Sequence, residues 1–103
     1  MKALRNRVAF YVPRVNPHFT ERLAARLSIR FGGCTIQDAT GCYVMGAGNL
    51  CTESVQIVYA FGDFAAEDIL PGGYFETLAE EIKTALAQEA VAFEVNGTLY
   101  LTD

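Results

Sequence analysis

Apolar residues at every second position predict the central strand of this chain. In the segment 54–61, Val55, Ile57, Tyr59 and Phe61 alternate with Ser54, Gln56, Val58 and Ala60. Strict alternation of β-branched and aromatic residues is typical of a strand with one buried face. We therefore expect the first of these sets to face the core. Glu53 continues the same phase, so the sequence places a carboxylate on the apolar face at the end of the strand.

A Gly-rich segment predicts the turn that precedes this strand. Gly46-Ala47-Gly48-Asn49 contains residues that adopt a positive φ readily, and residues 42–45 are predicted to form the partner strand. If Met45 pairs with Leu50, then Cys42 pairs with Glu53, and both lie on one face with Val44 and Cys51. A turn one residue shorter or longer would break this register.

Four-residue spacing of apolar residues predicts the first helix. A strand over residues 7–12 comes first and ends at Pro13, which has no N–H to donate. Asn16-Pro17 is typical of an N-cap followed by proline at the first helical position. The buried stripe of the helix is predicted to contain Phe19, Leu23, Leu27 and Phe31, and Gly32-Gly33 ends it. Arg22, Arg26 and Arg30 form a second stripe, either an anion-binding ridge or a solvated face.

The remaining patterns complete a β-α-β-β-α-β order with a short final strand. Residues 34–39 are predicted to be a short strand, 38–41 a turn or bulge, and 62–73 an irregular connection. A second helix is expected over residues 74–88. A strand over 91–95, the turn Asn96-Gly97 and a strand over 98–102 follow it.

This order predicts the ferredoxin-like sandwich of the α+β class, a single domain over residues 1–103 with two helices on one face of an antiparallel sheet. The uncovered face is expected to carry Ala9, Tyr11, Val58, Ala60, Ala92, Leu99 and Leu101. A contiguous exposed apolar patch marks a partner or ligand surface, and a second copy is the simplest partner. We therefore expect a homodimer, with Tyr11, Val58, Leu99 and Leu101 as its interface candidates.

Composition and charge narrow the functional classes. The 103 residues are 51% hydrophobic, which predicts one folded domain. The three cysteines lack the spacing of a disulfide framework, which predicts free thiols in a reducing compartment. The sequence shows no apolar run of membrane-spanning length and no signal-peptide pattern. We therefore expect a cytoplasmic protein without a membrane partner. Seven of the eight basic residues precede Gly33, and the net charge is −4. The acidic balance without a basic block argues against a nucleic-acid partner.

Several short segments carry a resemblance. They are Thr35, Asp38, Gly41 and Tyr43 in residues 33–43, then Glu53-Ser54, then Gln88-Glu89-Ala90-Val91. In these segments the chain resembles a family of small uncharacterised bacterial proteins that share a Thr-x-x-Asp-x-x-Gly-aromatic segment, a strand Glu and a Gln-Glu-x-Val segment. The family has no established activity, so the resemblance implies a fold and marks positions for attention, with Gln88 and Glu89 among them. Many members carry Trp near the position of Tyr43, and this chain has none.

No motif predicts a catalytic residue, a metal site or a cofactor. His18 is the only histidine, in the first turn of a helix, and the cysteines lack zinc-ligand spacing. The candidate ligand-binding residues are Glu53, Tyr43, Cys42, Asp38 and His18. Our first hypothesis is a small dimeric binding module, such as an accessory protein of a phage or mobile element, more plausibly not an enzyme. The alternatives are a small-ligand binder or enzyme of the dimeric α/β-barrel type with a pocket near Glu53, and a subunit that depends on another protein.

Overall fold

A computed structural model describes residues 1–103 of the chain, which form five strands and three helices. In chain order these are β1 (Asn6–Pro13), α1 (Pro17–Phe31), β2 (Thr35–Val44), β3 (Leu50–Gly62), α2 (Ala66–Ile69), α3 (Tyr74–Ala85), β4 (Val91–Val95) and β5 (Thr98–Thr102). The strands form one antiparallel sheet in the order β2-β3-β1-β4-β5. The fold is the ferredoxin-like sandwich that the pattern predicts, with β5 added at one edge. No helix of the chain has both the length and the apolar character needed to cross a membrane.

The predicted ends of α1 are confirmed by local hydrogen bonds. The Asn16 side chain accepts from the backbone N–H of Phe19, and Pro17 occupies the first helical position. At the other end Gly32 has a φ of 93°, and its N–H donates to the Ser28 carbonyl. Glycine is favoured there because a side chain would strain this left-handed backbone. The Asn96-Gly97 turn between β4 and β5 is also confirmed, since both residues have positive φ.

The core lies between the sheet and the helices α1 and α3. Phe10 of β1 is fully buried at its centre, with ring centroids 6.3 Å from Phe75 of α3 and 5.7 Å from Phe93 of β4. Leu27 of α1 is also fully buried against this cluster. Each such side chain contributes roughly 1.5–3 kcal/mol by leaving water. Side chains from β1, β4, α1 and α3 therefore meet in one core.

The prediction for the two faces of β3 was wrong. Val58 and Ala60 face the helices, because they pair with Phe10 and Val8, whose side of the sheet the helices cover. The other set, Val55, Ile57, Tyr59 and Phe61, lies on the uncovered face. Val58 is fully buried in the core and is therefore not an interface residue. Both faces of β3 are apolar, so alternation alone does not distinguish the two assignments.

The hairpin of β2 and β3 differs from its prediction in length and register. Residues 38–41 continue β2 as a regular strand rather than forming a turn. The outermost pair is Val44 with Leu50, so Gly41 pairs with Glu53 and Cys42 pairs with Thr52. Cys42 and Glu53 therefore lie on opposite faces of the hairpin. The turn is one residue longer than expected, because Met45 closes it through hydrogen bonds to Asn49 and Gly48.

The connection from β3 to α3 contains the short helix α2 and is held by a buried carboxylate. The side chain of Asp68 is only 3% exposed; it accepts from the Ala65 backbone N–H at 2.9 Å and pairs with Arg30. The Arg30 guanidinium lies 4.1 Å from the centroid of the Tyr74 ring. Arg30, one residue of the arginine stripe, therefore holds this connection against α1 through Asp68 and Tyr74.

A second residue of the arginine stripe joins the two long helices. Arg26 of α1 pairs with Glu81 of α3. The hydrogen bond that Arg26 donates to the Glu81 carboxylate raises the pKa of Arg26 above its ordinary value. Two of the three arginines thus have carboxylate partners within the fold. Their positive charges are balanced there, so the stripe does not need a bound anion.

Candidate functional site

A groove opens on the uncovered face of the sheet, at the end where β1 stops. The last residue of β1, Pro13, pairs with Val55, and the chain then turns away towards α1. Residues 50–54 of β3 pair only with β2, so the hairpin extends beyond β1. The turn that joins α3 to β4 lies on the opposite side. The groove is the space between the projecting hairpin and this turn.

The groove measures about 660 Å³ and is lined by both walls and by the sheet between them. This volume lies within the range of small-molecule sites, about 300–1,000 Å³. Its lining residues are Tyr11, Pro13, Gly41, Cys42, Tyr43, Glu53, Val55, Ala87, Gln88, Glu89, Ala90, Val91, Ala92 and Leu101. Most of the strand residues in this set lie on the face of the sheet that the helices leave uncovered. The register of the strands therefore determines which side chains meet in the groove.

The hairpin wall is open around Glu53 because its cross-strand neighbour is glycine. Gly41 lies directly opposite Glu53. A Cβ at residue 41 would lie 3.5 Å from Val55 Cγ1 and 3.6 Å from Glu53 Cγ. Those distances are ordinary van der Waals contacts. A side chain at residue 41 would therefore occupy the space beside the Glu53 side chain that glycine leaves open. Tyr43 follows Gly41 on the same face and is 51% exposed.

The opposite wall is built on an unusual backbone conformation. Ala87 has a φ of 52°, in the left-handed region that a non-glycine residue rarely occupies. The turn is held by the N–H of Gln88, which donates to the Lys83 carbonyl at 2.9 Å, and by its side-chain amide, which donates to the Leu86 carbonyl at 2.9 Å. Glu89 follows directly and lines the groove. Strained backbone of this kind is concentrated at functional sites.

The charge of the groove is wholly negative. Glu53 and Glu89 are its two charged residues, both are exposed, and no Lys, Arg or His lines it. Neither carboxylate forms an ion pair, whereas Arg7 and Arg14 pair with Glu94 and Asp38. Two tyrosines, Tyr11 and Tyr43, add aromatic surface. The arrangement suits a ligand that combines a flat ring with cationic or hydroxyl groups. No three His, Cys, Asp or Glu side chains are grouped as a metal site would require.

The five predicted ligand-binding residues fall in three places. Glu53, Tyr43 and Cys42 line the groove. Asp38 lies nearer the start of β2, in the phase of the helix-covered face. Its carboxylate accepts a hydrogen bond from the Gln56 side-chain amide at 3.2 Å and lies 3.8 Å from the Arg14 guanidinium. His18 is exposed in the first turn of α1 and does not line the groove.

Residues predicted for other roles complete the groove. Tyr11 and Leu101, chosen as interface candidates, line it, and Leu99 is 57% exposed on the same face. The turn of residues 87–90 was not predicted as part of a site from the residue pattern, although the family resemblance marked Gln88 and Glu89. The conformation of Ala87 has no sequence signal, because alanine ordinarily continues a helix.

Comparison with known proteins identifies the fold but not a family. No protein-family model and no curated protein matches the sequence. Among solved structures, the chain is similar to a phage SAM lyase in complex with S-methyl-5′-thioadenosine, with a TM-score of 0.73 and 17% sequence identity over 99% of this chain and 94% of that one. It is also similar to a phage SAM lyase in the apo state, with a TM-score of 0.67 and 16% identity over the same shares. This chain and the phage SAM lyases therefore share a fold over nearly their whole length.

Proposed function

We propose that this protein binds S-adenosylmethionine (SAM) in the groove between the β2-β3 hairpin and the α3-β4 turn, and cleaves it as a lyase. The observation that carries the proposal is the groove itself, with tyrosines and unpaired carboxylates, in a fold shared end to end with a SAM lyase that holds S-methyl-5′-thioadenosine. Both similar structures are phage proteins, so the proposal includes a role as a phage accessory protein.

The groove offers groups for each part of the ligand. The ring of Tyr11 or Tyr43 supplies a face on which adenine stacks, an interaction worth about 1–3 kcal/mol per base. The carboxylates of Glu53 and Glu89 accept hydrogen bonds from ribose hydroxyls or from the ammonium of the amino-acid part. The apolar floor, which includes Val55 and Leu101, packs against the aliphatic chain between these polar groups.

The reaction breaks the bond between sulfur and Cγ of the methionine part. The electron pair of that bond stays on sulfur, and the sulfonium becomes the neutral thioether of S-methyl-5′-thioadenosine. A carboxylate oxygen of the methionine part supplies the electron pair of the new bond to Cγ, so the four-carbon fragment leaves as a lactone and no water or proton is consumed. The groove serves this step by holding the flexible amino-acid chain in one conformation, which lowers the entropic part of the barrier.

The test is formation of S-methyl-5′-thioadenosine from SAM by the purified protein, followed by liquid chromatography with mass detection. We expect time-dependent product above the slow spontaneous breakdown of SAM. Glu53→Gln removes one groove carboxylate and weakens the binding of SAM, so it is expected to reduce the rate at least about tenfold at SAM concentrations well below KM. Glu80→Gln makes the same chemical change on an exposed part of α3 outside the groove and serves as the control. A rate equal to the protein-free background for the unchanged chain would refute the proposal.

We propose in addition that the uncovered sheet face binds a second copy of the chain. Five large apolar side chains of β3 and β5 lie on that face: Ile57, Tyr59, Phe61, Leu99 and Leu101. Phe61 is 42% exposed, and Leu101 is 63% exposed. Contiguous apolar surface of this kind is usually covered by a partner, and two-fold pairing covers the same patch on both copies.

Native mass spectrometry with a surface variant tests self-association. Leu99 does not line the groove, so Leu99→Lys changes the sheet face and leaves the proposed SAM site intact. We expect the unchanged chain to be dimeric and the variant to be monomeric at the same concentration. Val15→Lys is the control, since Val15 is 65% exposed between β1 and α1, outside the sheet. A monomeric unchanged chain would exclude this interface.

A further inference from the structure

The charged groups of the groove are all of one sign, which bears on the kind of S-adenosyl compound that fits it. Glu53 comes from β3 and Glu89 from the α3-β4 turn, so two separate elements each contribute a carboxylate. The acids elsewhere that meet arginines, such as Asp68 and Glu81, are neutralised within the fold. The two groove carboxylates have no such partner, and their field is therefore available to a ligand.

From this arrangement we infer that the groove selects cationic sulfonium nucleosides over neutral thioether nucleosides, with Glu53 and Glu89 as the residues that determine the selectivity. The inference rests on the proposed SAM site and specifies its ligand class. SAM has a sulfonium, an ammonium and a single carboxylate, whereas its thioether analogues lack the sulfonium charge. A cation in the groove is attracted by both carboxylates and by the face of Tyr11 or Tyr43.

The same charges assist the release of product. Cleavage converts the sulfonium to a neutral thioether, so S-methyl-5′-thioadenosine no longer interacts as a cation with Glu53 and Glu89. The carboxylates therefore hold the substrate more strongly than the product. They also hold the substrate more strongly than a transition state in which the positive charge on sulfur is already declining. Their role is consequently discrimination between ligands, and replacing one should raise KM without lowering kcat.

Two stable ligands isolate the effect of charge. Sinefungin has a protonated amine where SAM has its sulfonium, and S-adenosylhomocysteine has a neutral thioether there; the two are otherwise closely matched. Isothermal titration calorimetry of the full chain is expected to give a Kd at least about tenfold lower for sinefungin. The ratio should fall as salt is raised, because both carboxylates are exposed and screened. It should also fall towards one in Glu53→Gln and in Glu89→Gln, and stay unchanged in Glu80→Gln.

The outcomes separate this inference from the proposed function. If the protein forms S-methyl-5′-thioadenosine but binds the two ligands equally, the charge selectivity is wrong and the SAM site stands. Preference for S-adenosylhomocysteine would overturn the inference in the same way. An unchanged ratio in both groove variants would show that other residues set the selectivity, which also overturns it. Failure to bind either ligand, together with no product from SAM, would overturn the SAM site and the inference with it.

Discussion

Gly73 is the position where a single methyl group is expected to cost the most stability. It is the N-cap of α3, and its N–H donates to the Leu70 carbonyl at 2.8 Å. Its φ of −80° suits any residue, so the effect is one of space alone. A Cβ would lie 2.1 Å from the carbonyl oxygen of Glu67 and 2.7 Å from that of Leu70. The backbone of the α2 turn must therefore move by about 1 Å, since such contacts are normally above 3 Å.

The expected cost of Gly73→Ala follows from that displacement. Overpacking typically costs about 1–3 kcal/mol, and alanine is a poorer N-cap than glycine. Together they predict a loss of about 2–4 kcal/mol, a large share of the roughly 5–15 kcal/mol of a domain this size. The melting temperature should fall by roughly 10–25 °C.

Thermal unfolding followed by circular dichroism measures this loss, with Gly46→Ala as the matched control. Gly46 has no heavy atom within 4 Å of an added Cβ and no positive φ, so its substitution should be neutral or slightly stabilising. A melting temperature for Gly73→Ala within about 3 °C of the unchanged chain would refute the close approach of α2 to the start of α3.

Three further substitutions test the groove, the core and the helix cap. Gly41→Ala adds a methyl group in ordinary contact with Glu53, so we expect stability within about 1 kcal/mol of the unchanged chain and slower formation of S-methyl-5′-thioadenosine; an unaltered rate would argue against this wall of the groove. Leu27→Ala leaves a cavity at a fully buried site and should lower the free energy of unfolding in urea by about 2–5 kcal/mol, whereas a loss below 1 kcal/mol would contradict its burial. Asn16→Ala removes the cap of α1 and should cost about 1 kcal/mol by the same assay, while Asn16→Asp, which retains an acceptor, should cost less.

The features that the sequence predicted correctly are those set by neighbouring residues. The side chain of Asn16 caps the residues that follow it, Gly32 adopts the backbone that ends α1, and Asn96-Gly97 forms its turn within four residues. Such interactions span a few positions, so residue type and spacing are sufficient to predict them. Element order then follows, and with it the ferredoxin-like sandwich. The placement of Glu53 in the phase of Val55 and Ile57 also depends only on the period of a strand.

Tertiary packing decided what the local pattern left open. Both faces of β3 are apolar, and the small pair Val58 and Ala60 lies under the helices because β1 presents Phe10 and Val8 on that side. The observed register of the hairpin differs by one residue from the predicted register. Glu53 therefore lies opposite Gly41 and not opposite Cys42, and the groove is open around it. The second wall comes from a turn more than thirty residues away in sequence, shaped by the left-handed Ala87. Contacts between distant segments carry no local signal, so the sequence by itself predicted a carboxylate on an apolar strand, and only the folded chain formed a site around it.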